Sequence, residues 1–293
     1  MITPFKYRLG IELAQDAIRT VLLEVSHSSC MLLRADEFDI SVPETVRSGD
    51  FGSALQSISQ VVPSSDGLIP ASVVLPAEYV IEFTIQIPKG LTIRRDEWER
   101  WEIATHLIGR HEDYLYESIH LMDSICGKYQ IRRVRAARKR NVNHLTDQAK
   151  SIGLLIDQMF FPQSVWGDVV SSYCAREDAE AAECVFIGSK CAYLVRTSQR
   201  HVTDLLPAHL PTDGKMERFA ETIETLLSWH TSGSRARIDR VVINGADEDE
   251  LASELSSRLN FRGFNPDHIS KILHGTIDKP ERFLLPLAAL GVI

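Results

Sequence analysis

The sequence predicts an α/β fold assembled from two strand-led halves, and three observations predict it. A strand, turn and strand pattern opens the chain at 6–25, "KYRLGIELAQDAIRTVLLEV". The same pattern returns at 183–197, "ECVFIGSKCAYLVRT". In each half, strands then alternate with helical patterns, the order of a sheet covered by helices.

The elements follow in order. Aliphatic and β-branched residues cluster at 9–13, 19–25 and 31–40 between turn-rich gaps and predict a three-stranded meander. A short helix is expected over 51–61, then strands at 72–75 and 80–87. The second of these alternates through Ile81, Phe83, Ile85 and Ile87. After the turn Pro88-Lys89-Gly90, Trp98, Trp101, Ala104 or Thr105 and Ile108 recur at helical spacing and read as a core stripe. A strand pair at 118–122 and 129–137 leads into a helix. Asn141 is its expected cap, Val142, Leu145, Ala149 and Ile152 its buried face, and Gly153 its stop. A strand at 155–161 and a helix at 163–175 close the first half.

The polar bridge "AREDAEAAE" at 175–183 marks the expected boundary. Beyond it come the second hairpin with Gly188 and Ser189 at its turn, a third strand near 201–206, and an amphipathic helix through Met216, Phe219, Ile223 and Leu226. A strand at 241–244 and a helix at 248–259 follow. The expected domains are 1–175, carrying an inserted subdomain at about 70–140, and 183–275. The segment 276–293 is expected to return to the first domain.

Composition narrows the function. At 293 residues and 44% hydrophobic, the chain can bury a substantial core. Its formal net charge of −8 opposes nucleic acid and anionic lipid wherever no local patch reverses the sign. One patch does so: "RRVRAARKR" at 132–140, containing Arg132, Arg135 and Arg138. Without adjacent aromatics or a groove-entering helix it reads as a solvated strand edge or a protein-docking face, and no nucleic-acid partner is expected.

The five cysteines are scattered without a C-x-x-C pair, which argues against a disulfide framework or a zinc site. His106 and His111 fall on different helix faces, so no metal site is nominated. P-loop, Rossmann, zincin and α/β-hydrolase motifs are absent. The start "MITPFKYRLG" has no apolar core of a signal peptide, and the late run "FLLPLAALGVI" is short and interrupted by proline. The expectation is a cytoplasmic protein that does not itself span a membrane.

Two halves that each begin with a meander resemble the actin-like (ribonuclease H-like) fold of actin, Hsp70 and sugar kinases. Four collinear stretches resemble the type IV pilus assembly protein PilM family. They are "LGIELAQDAIRTVLLEV", "VVLPAEYVIEFTIQIPKGL", "VRAARKRNVNHLTDQAKSIGLLIDQM" and "RIDRVVINGADEDEL". The resemblance implies a nucleotide pocket at Glu12, Gln15, Gly188, Ser189 and Gly245, where backbone N–H groups of small turn residues grip phosphate.

Here that pocket departs from the pattern. Leu13-Ala14-Gln15 replaces small residues in the first turn. The first-strand carboxylate that helps hold hydrated Mg²⁺ becomes the longer Glu12, and "DIG" in the second hairpin becomes "FIG" through Phe186. The late glycine turn shrinks to Asn244-Gly245-Ala246 before four carboxylates, which otherwise suit a helix N-terminus.

A degenerate ATPase is therefore expected: no catalytic residue, no required cofactor, and ATP with magnesium disfavoured. The resemblance implies a scaffold of a type IV pilus or related secretion machine, peripheral to the inner membrane. It would bind the cytoplasmic N-terminal tail of a PilN-like protein in a cleft of the first domain, with Arg132, Arg135 and Arg138 beside it. Oligomerisation is left open. Three rivals carry other implications. A GspL-like cytoplasmic domain would continue into a transmembrane helix, and this chain stops at Ile293 without one. A nucleotide-binding ATPase or sugar-kinase-like phosphotransferase would need a cleft carboxylate and intact phosphate turns. An FtsA-like filament former would carry a basic amphipathic C-terminal helix.

Overall fold

The structure is a computed structural model that describes residues 6–14, 17–26, 29–39, 52–63, 67–91, 94–179, 181–187, 192–198, 201–208, 216–228, 238–245, 250–265, 269, 273 and 276–292. The first half is a five-stranded sheet in the order β3-β2-β1-β4-β8. Its strands are β1 (Tyr7–Leu13), β2 (Ala17–Val25), β3 (Cys30–Asp39), β4 (Ile69–Val74) and β8 (Leu154–Phe160). The meander is antiparallel, and β4 and β8 join it in parallel, as crossover connections require.

The second half repeats this order as β11-β10-β9-β12-β13. These strands are β9 (Ala181–Ile187), β10 (Ala192–Ser198), β11 (His201–Ala208), β12 (Ile238–Asn244) and β13 (Arg262–Gly263). The repeated strand order, meander first and parallel strands after, is the actin-like α/β fold.

A third sheet, β5-β7-β6, forms a lobe inserted between β4 and β8. It contains β5 (Ile81–Pro88), β6 (Tyr114–Asp123) and β7 (Tyr129–Arg138). Helix α1 (Gly52–Ser59) precedes the lobe and α2 (Arg95–His106) covers one face of its sheet. After it come α3 (Lys139–Ser151), α4 (Pro162–Glu177), α5 (Met216–Ser228), α6 (Glu250–Leu259) and the short α7 (Leu284–Ala289).

The outer faces are covered locally. Val142, Leu145 and Ala149 of α3 and Leu55 and Ile58 of α1 bury the outer face of the first sheet. Phe219 and Ile223 of α5 with Leu251 and Leu255 of α6 do the same for the second. Gly153 closes α3 with φ of 84°, a left-handed conformation that glycine adopts without Cβ strain. Asn141 is not the cap: the helix begins at Lys139, and Arg138 occupies the cap position without a side-chain cap bond.

The inner faces are shared. Helix α4, from the first half, packs on β9, β10 and β11, and α7 packs on β1, β2 and β4. One apolar core therefore runs through both halves, from Val21 and Val74 across Trp166, Val169 and Leu285 to Phe186 and Ile243. Gly10 belongs to this arrangement, because a Cβ there would lie 2.4 Å from the carbonyl oxygen of Pro286. Only glycine lets α7 lie this close on β1.

The stripe of α2 departs from expectation. Ile103 faces the lobe sheet and is buried, whereas Trp98, Trp101 and Ile108 are exposed. The spacing is helical as read, but the face points the other way: Glu99, Ile103 and His106, not the aromatic stripe, meet the sheet.

Candidate functional site

The two hairpins have matched geometry. Leu13 opposes Ile18 in the first and Ile187 opposes Ala192 in the second, so Glu12 with Arg19 occupies the register that Phe186 with Tyr193 occupies in the repeat. All four side chains line the space between the halves, together with Leu75, Trp166 and Leu285. That space amounts to about 30 Å³, room for about one or two waters.

Several contacts fill it. Glu12 and Arg19 are 6% and 2% exposed, and Arg19 Nη1 lies 3.5 Å from Glu12 Oε2. Arg19 Nε donates to Glu37 Oε2 at 3.3 Å, and Arg282 Nη1 approaches the same oxygen at 3.6 Å. Carboxylate and guanidinium thus alternate from β1 through β2 and β3 to the segment before α7. Unpaired, any one of these groups would carry a large desolvation cost; in alternation each charge meets its opposite.

The second half contributes aromatic volume instead of charge. The Trp166 and Phe186 rings lie 5.1 Å apart at 51°. Gly245, expected in the remnant pocket, gives its N–H to Ile187 O at 2.8 Å. A Cβ on it would meet Ile187 O and Phe186 at 3.2 Å and the Arg282 stem at 3.4 Å. Gln15, Gly188 and Ser189 lie outside the described residues. Among the described residues no group of three or more His, Cys, Asp or Glu side chains is placed to hold a metal ion.

The basic segment falls in the lobe, and the strand-edge expectation is corrected: β7 lies between β5 and β6. Its cations are paired inward. Arg135 is 2% exposed and donates to Glu82 at 2.8 Å and to Glu117 and Ser164 at 3.0 Å. Ser164, from α4, in turn donates to Glu117 at 2.6 Å, which ties the lobe to the helix. Arg132 bonds Ser118 and pairs with Glu99 of α2 at 3.2 Å. Arg138 bonds the Tyr114 hydroxyl at 3.2 Å and is the one of the three with an exposed position.

Alternation along β7 sorts the lobe sheet into two faces. Val134 and Ala136 meet α2, and Arg133, Arg135 and Ala137 face away from it. Leu115, Ile119 and Met122 share that second face through their pairing with Ala137, Arg133 and Ile131. Leu115 and Met122 are exposed, so this face carries apolar side chains along β6 that are interrupted between Leu115 and Ile119 by the paired Glu117 and Arg135, with Glu82 and Arg133 beside them.

Sequence reasoning nominated Glu12 and Gly245 but missed Arg19, Trp166 and Arg282. Arg19 was recoverable by counting outward from the hairpin turn, since Glu12 must oppose it. Trp166 and Arg282 reach the cleft by crossing between halves, which local pattern does not encode.

No protein-family model and no curated protein matches this chain. Solved structures do. The chain is similar to a chain of the PilM-PilN type IV pilus biogenesis complex, at a TM-score of 0.67 and 17% identity over 97% of each chain. It is also similar to the cytoplasmic domain of EpsL, an inner membrane component of the type II secretion system of Vibrio cholerae. That TM-score is 0.55 at 12% identity, covering 97% of this chain and 95% of that one. At these identities the likeness is one of fold. No helix among the described residues is long and apolar enough to cross a membrane.

Proposed function

We propose that this chain is a PilM-like scaffold of a type IV pilus or related secretion machine. It works at the cytoplasmic side of the inner membrane without turning over nucleotide. The observation that carries this reading is the buried Glu12–Arg19 pair at a cleft of about 30 Å³. The carboxylate that would hold hydrated Mg²⁺ is neutralised by the protein's own guanidinium, and apolar side chains take the volume a nucleotide needs. The full-length likeness to the PilM-PilN complex supports the scaffold, and the likeness to EpsL supports a place in an inner-membrane machine.

Glu12, Gln15, Gly188, Ser189 and Gly245 are then remnants of a nucleotide pocket. The domains divide at 1–175 and 183–275, with 276–293 returning to the first.

The partner is the cytoplasmic N-terminal tail of a PilN-like membrane protein, and its seat is the open face of the lobe sheet beside α4. An extended peptide there gains apolar contacts from Leu115, Ile119 and Met122 on a preformed surface. Of the three nominated arginines only Arg135 shares this face; Arg132, paired with Glu99, and Arg138, bonded to Tyr114, stand on the α2 side of the sheet.

Calorimetry tests this with a synthetic peptide from the tail of a single-span protein encoded next to this chain. Binding of about −8 kcal/mol, in the micromolar range, is expected for the full chain. It should weaken about tenfold or more in Leu115→Glu and Met122→Glu. A peptide that does not bind, or binds both variants as well as the parent, overturns the proposal.

A further inference from the structure

Half of the basic segment is left over once Arg132, Arg133 and Arg135 have met the carboxylates of the lobe. The remaining cations, Arg138, Lys139 and Arg140, are exposed where β7 runs into α3. They line a cavity of about 330 Å³, within the range of clefts that hold small ligands. Ile108, Tyr114, Glu112 and Asp113 complete its wall.

The charges in this wall do not pair with one another. Asp113 is met by Arg110 Nη2 at 3.4 Å and Glu112 by His111 Nδ1 at 3.3 Å. Lys139 and Arg140 meet no carboxylate among the described residues. Arg138 donates from Nε to the Tyr114 hydroxyl at 3.2 Å, and its guanidinium lies over that ring at 5.8 Å from the centroid. Tyr114 is itself buried and donates to the Ile108 carbonyl oxygen at 2.8 Å. The phenol thus holds Arg138 and the Ile108 backbone together at the cavity.

Helix α3 does not account for the three cations. Positive charge in a first turn opposes the macrodipole, and no acidic residue stands in this turn to offset it. Side chains that break a local rule without gain to the fold mark a functional position.

We propose that this cavity takes the phosphate group of an anionic phospholipid. Two guanidinium forks and an ammonium match the oxygens of a phosphate. Ile108 selects the source: it is 80% exposed beside the cations, so the favoured ligand carries apolar surface next to its phosphate, which free phosphate lacks. A nucleic acid would gain from an exposed ring on which to stack, and Tyr114 is 3% exposed. On a chain of net charge −8 the contact is confined to this patch and weakens with salt. It lies on the α2 side of the lobe, across the sheet from the seat assigned to the tail, so the two proposals stand or fall separately.

The test is sedimentation of the full chain with vesicles of phosphatidylcholine, alone or containing phosphatidylglycerol, beside calorimetry with inorganic phosphate. The phosphatidylglycerol vesicles are expected to carry the protein down, and the phosphatidylcholine vesicles to leave it in solution. The double variant Lys139→Glu, Arg140→Glu should bind vesicles about tenfold or more weakly. Its melting temperature should not fall, because acidic residues suit the start of α3. Ile108→Ser should weaken vesicle binding and leave the calorimetry with phosphate unchanged. Vesicles that fail to bind, or that bind the double variant as well as the parent, overturn the proposal. Inorganic phosphate that binds as tightly as the vesicles, or an Ile108→Ser chain that holds them undiminished, assigns the cavity to a soluble phosphate and overturns the lipid. Single-stranded RNA that binds as tightly, with the same dependence on Lys139 and Arg140, overturns it too.

Discussion

Arg19 stands directly across the first hairpin from Glu12, its Nη1 3.5 Å from the carboxylate, and both side chains are buried. A strand pair that could present a carboxylate to a metal ion instead answers it with a cation from its own hairpin. Removing one member leaves the other charged and desolvated. Arg19→Ala or Glu12→Ala should therefore lose about 3–5 kcal/mol of unfolding free energy, measured by urea denaturation. The double variant Glu12→Ala, Arg19→Ala should lose less than the sum of the two single changes. Additive losses in the cycle would show that the two groups do not act as a pair.

The junction of α7 with β1 yields a second outcome. A Cβ at Gly10 would meet the Pro286 carbonyl oxygen at 2.4 Å and Leu290 Cδ1 at 2.9 Å. Backbone cannot yield as a side-chain tip does, so α7 must shift. Gly10→Ala should lose about 1–3 kcal/mol and raise hydrogen exchange in 284–290 above the rest of the chain. An unchanged exchange pattern there would contradict the close contact.

Arg135 and Arg138 should separate sharply on charge reversal. Arg135→Glu places a third carboxylate against Glu82 and Glu117 in a buried site, with an expected loss of about 3–5 kcal/mol. Arg138→Glu sits at an exposed position and should change stability by about 1 kcal/mol or less. Equal effects in thermal melts would mean that the strand does not bury one cation and display the other.

High pH probes the core. Burial pushes the Tyr79 and Tyr173 hydroxyls from 10.0 up to about 12. The unfolded chain therefore loses these protons first, and the stability they carry is complete below pH 10 and lost as pH rises through about 12. Each shift corresponds to about 2–3 kcal/mol. Absorbance titration near 295 nm should show two tyrosines that ionise only together with unfolding, and free titration of every tyrosine in the native protein would contradict their burial.

Much of this fold was legible because hairpins and meanders announce themselves by alternation between turn residues. The buried face of α3 was equally legible through Val142, Leu145 and Ala149. The stripe on α2 shows where such reading stops. Periodicity tells which side chains share a face, but only the tertiary partner decides which face turns inward, and Ile103 won over two tryptophans. The basic strand failed for a related reason: Glu82, Glu117 and Ser164 come from three other elements, so no window around 132–140 contains the groups that neutralise it. The cleft between the two hairpins was half legible. Phe186 and Leu13 were visible as departures, whereas Trp166 and Arg282 arrive from helical segments that cross between the halves.

The space between the two hairpins, proposed above as the remnant of a nucleotide pocket, is about 30 Å³ and lined by core side chains. A thermal melt of the full chain with and without ATP and Mg²⁺ tests that proposal most directly. A ligand at about 100 times its Kd would add about 2.7 kcal/mol, a rise of several degrees. Superimposable melts are expected at millimolar nucleotide; a saturable rise that depends on both ATP and Mg²⁺ would contradict a filled, inactive pocket.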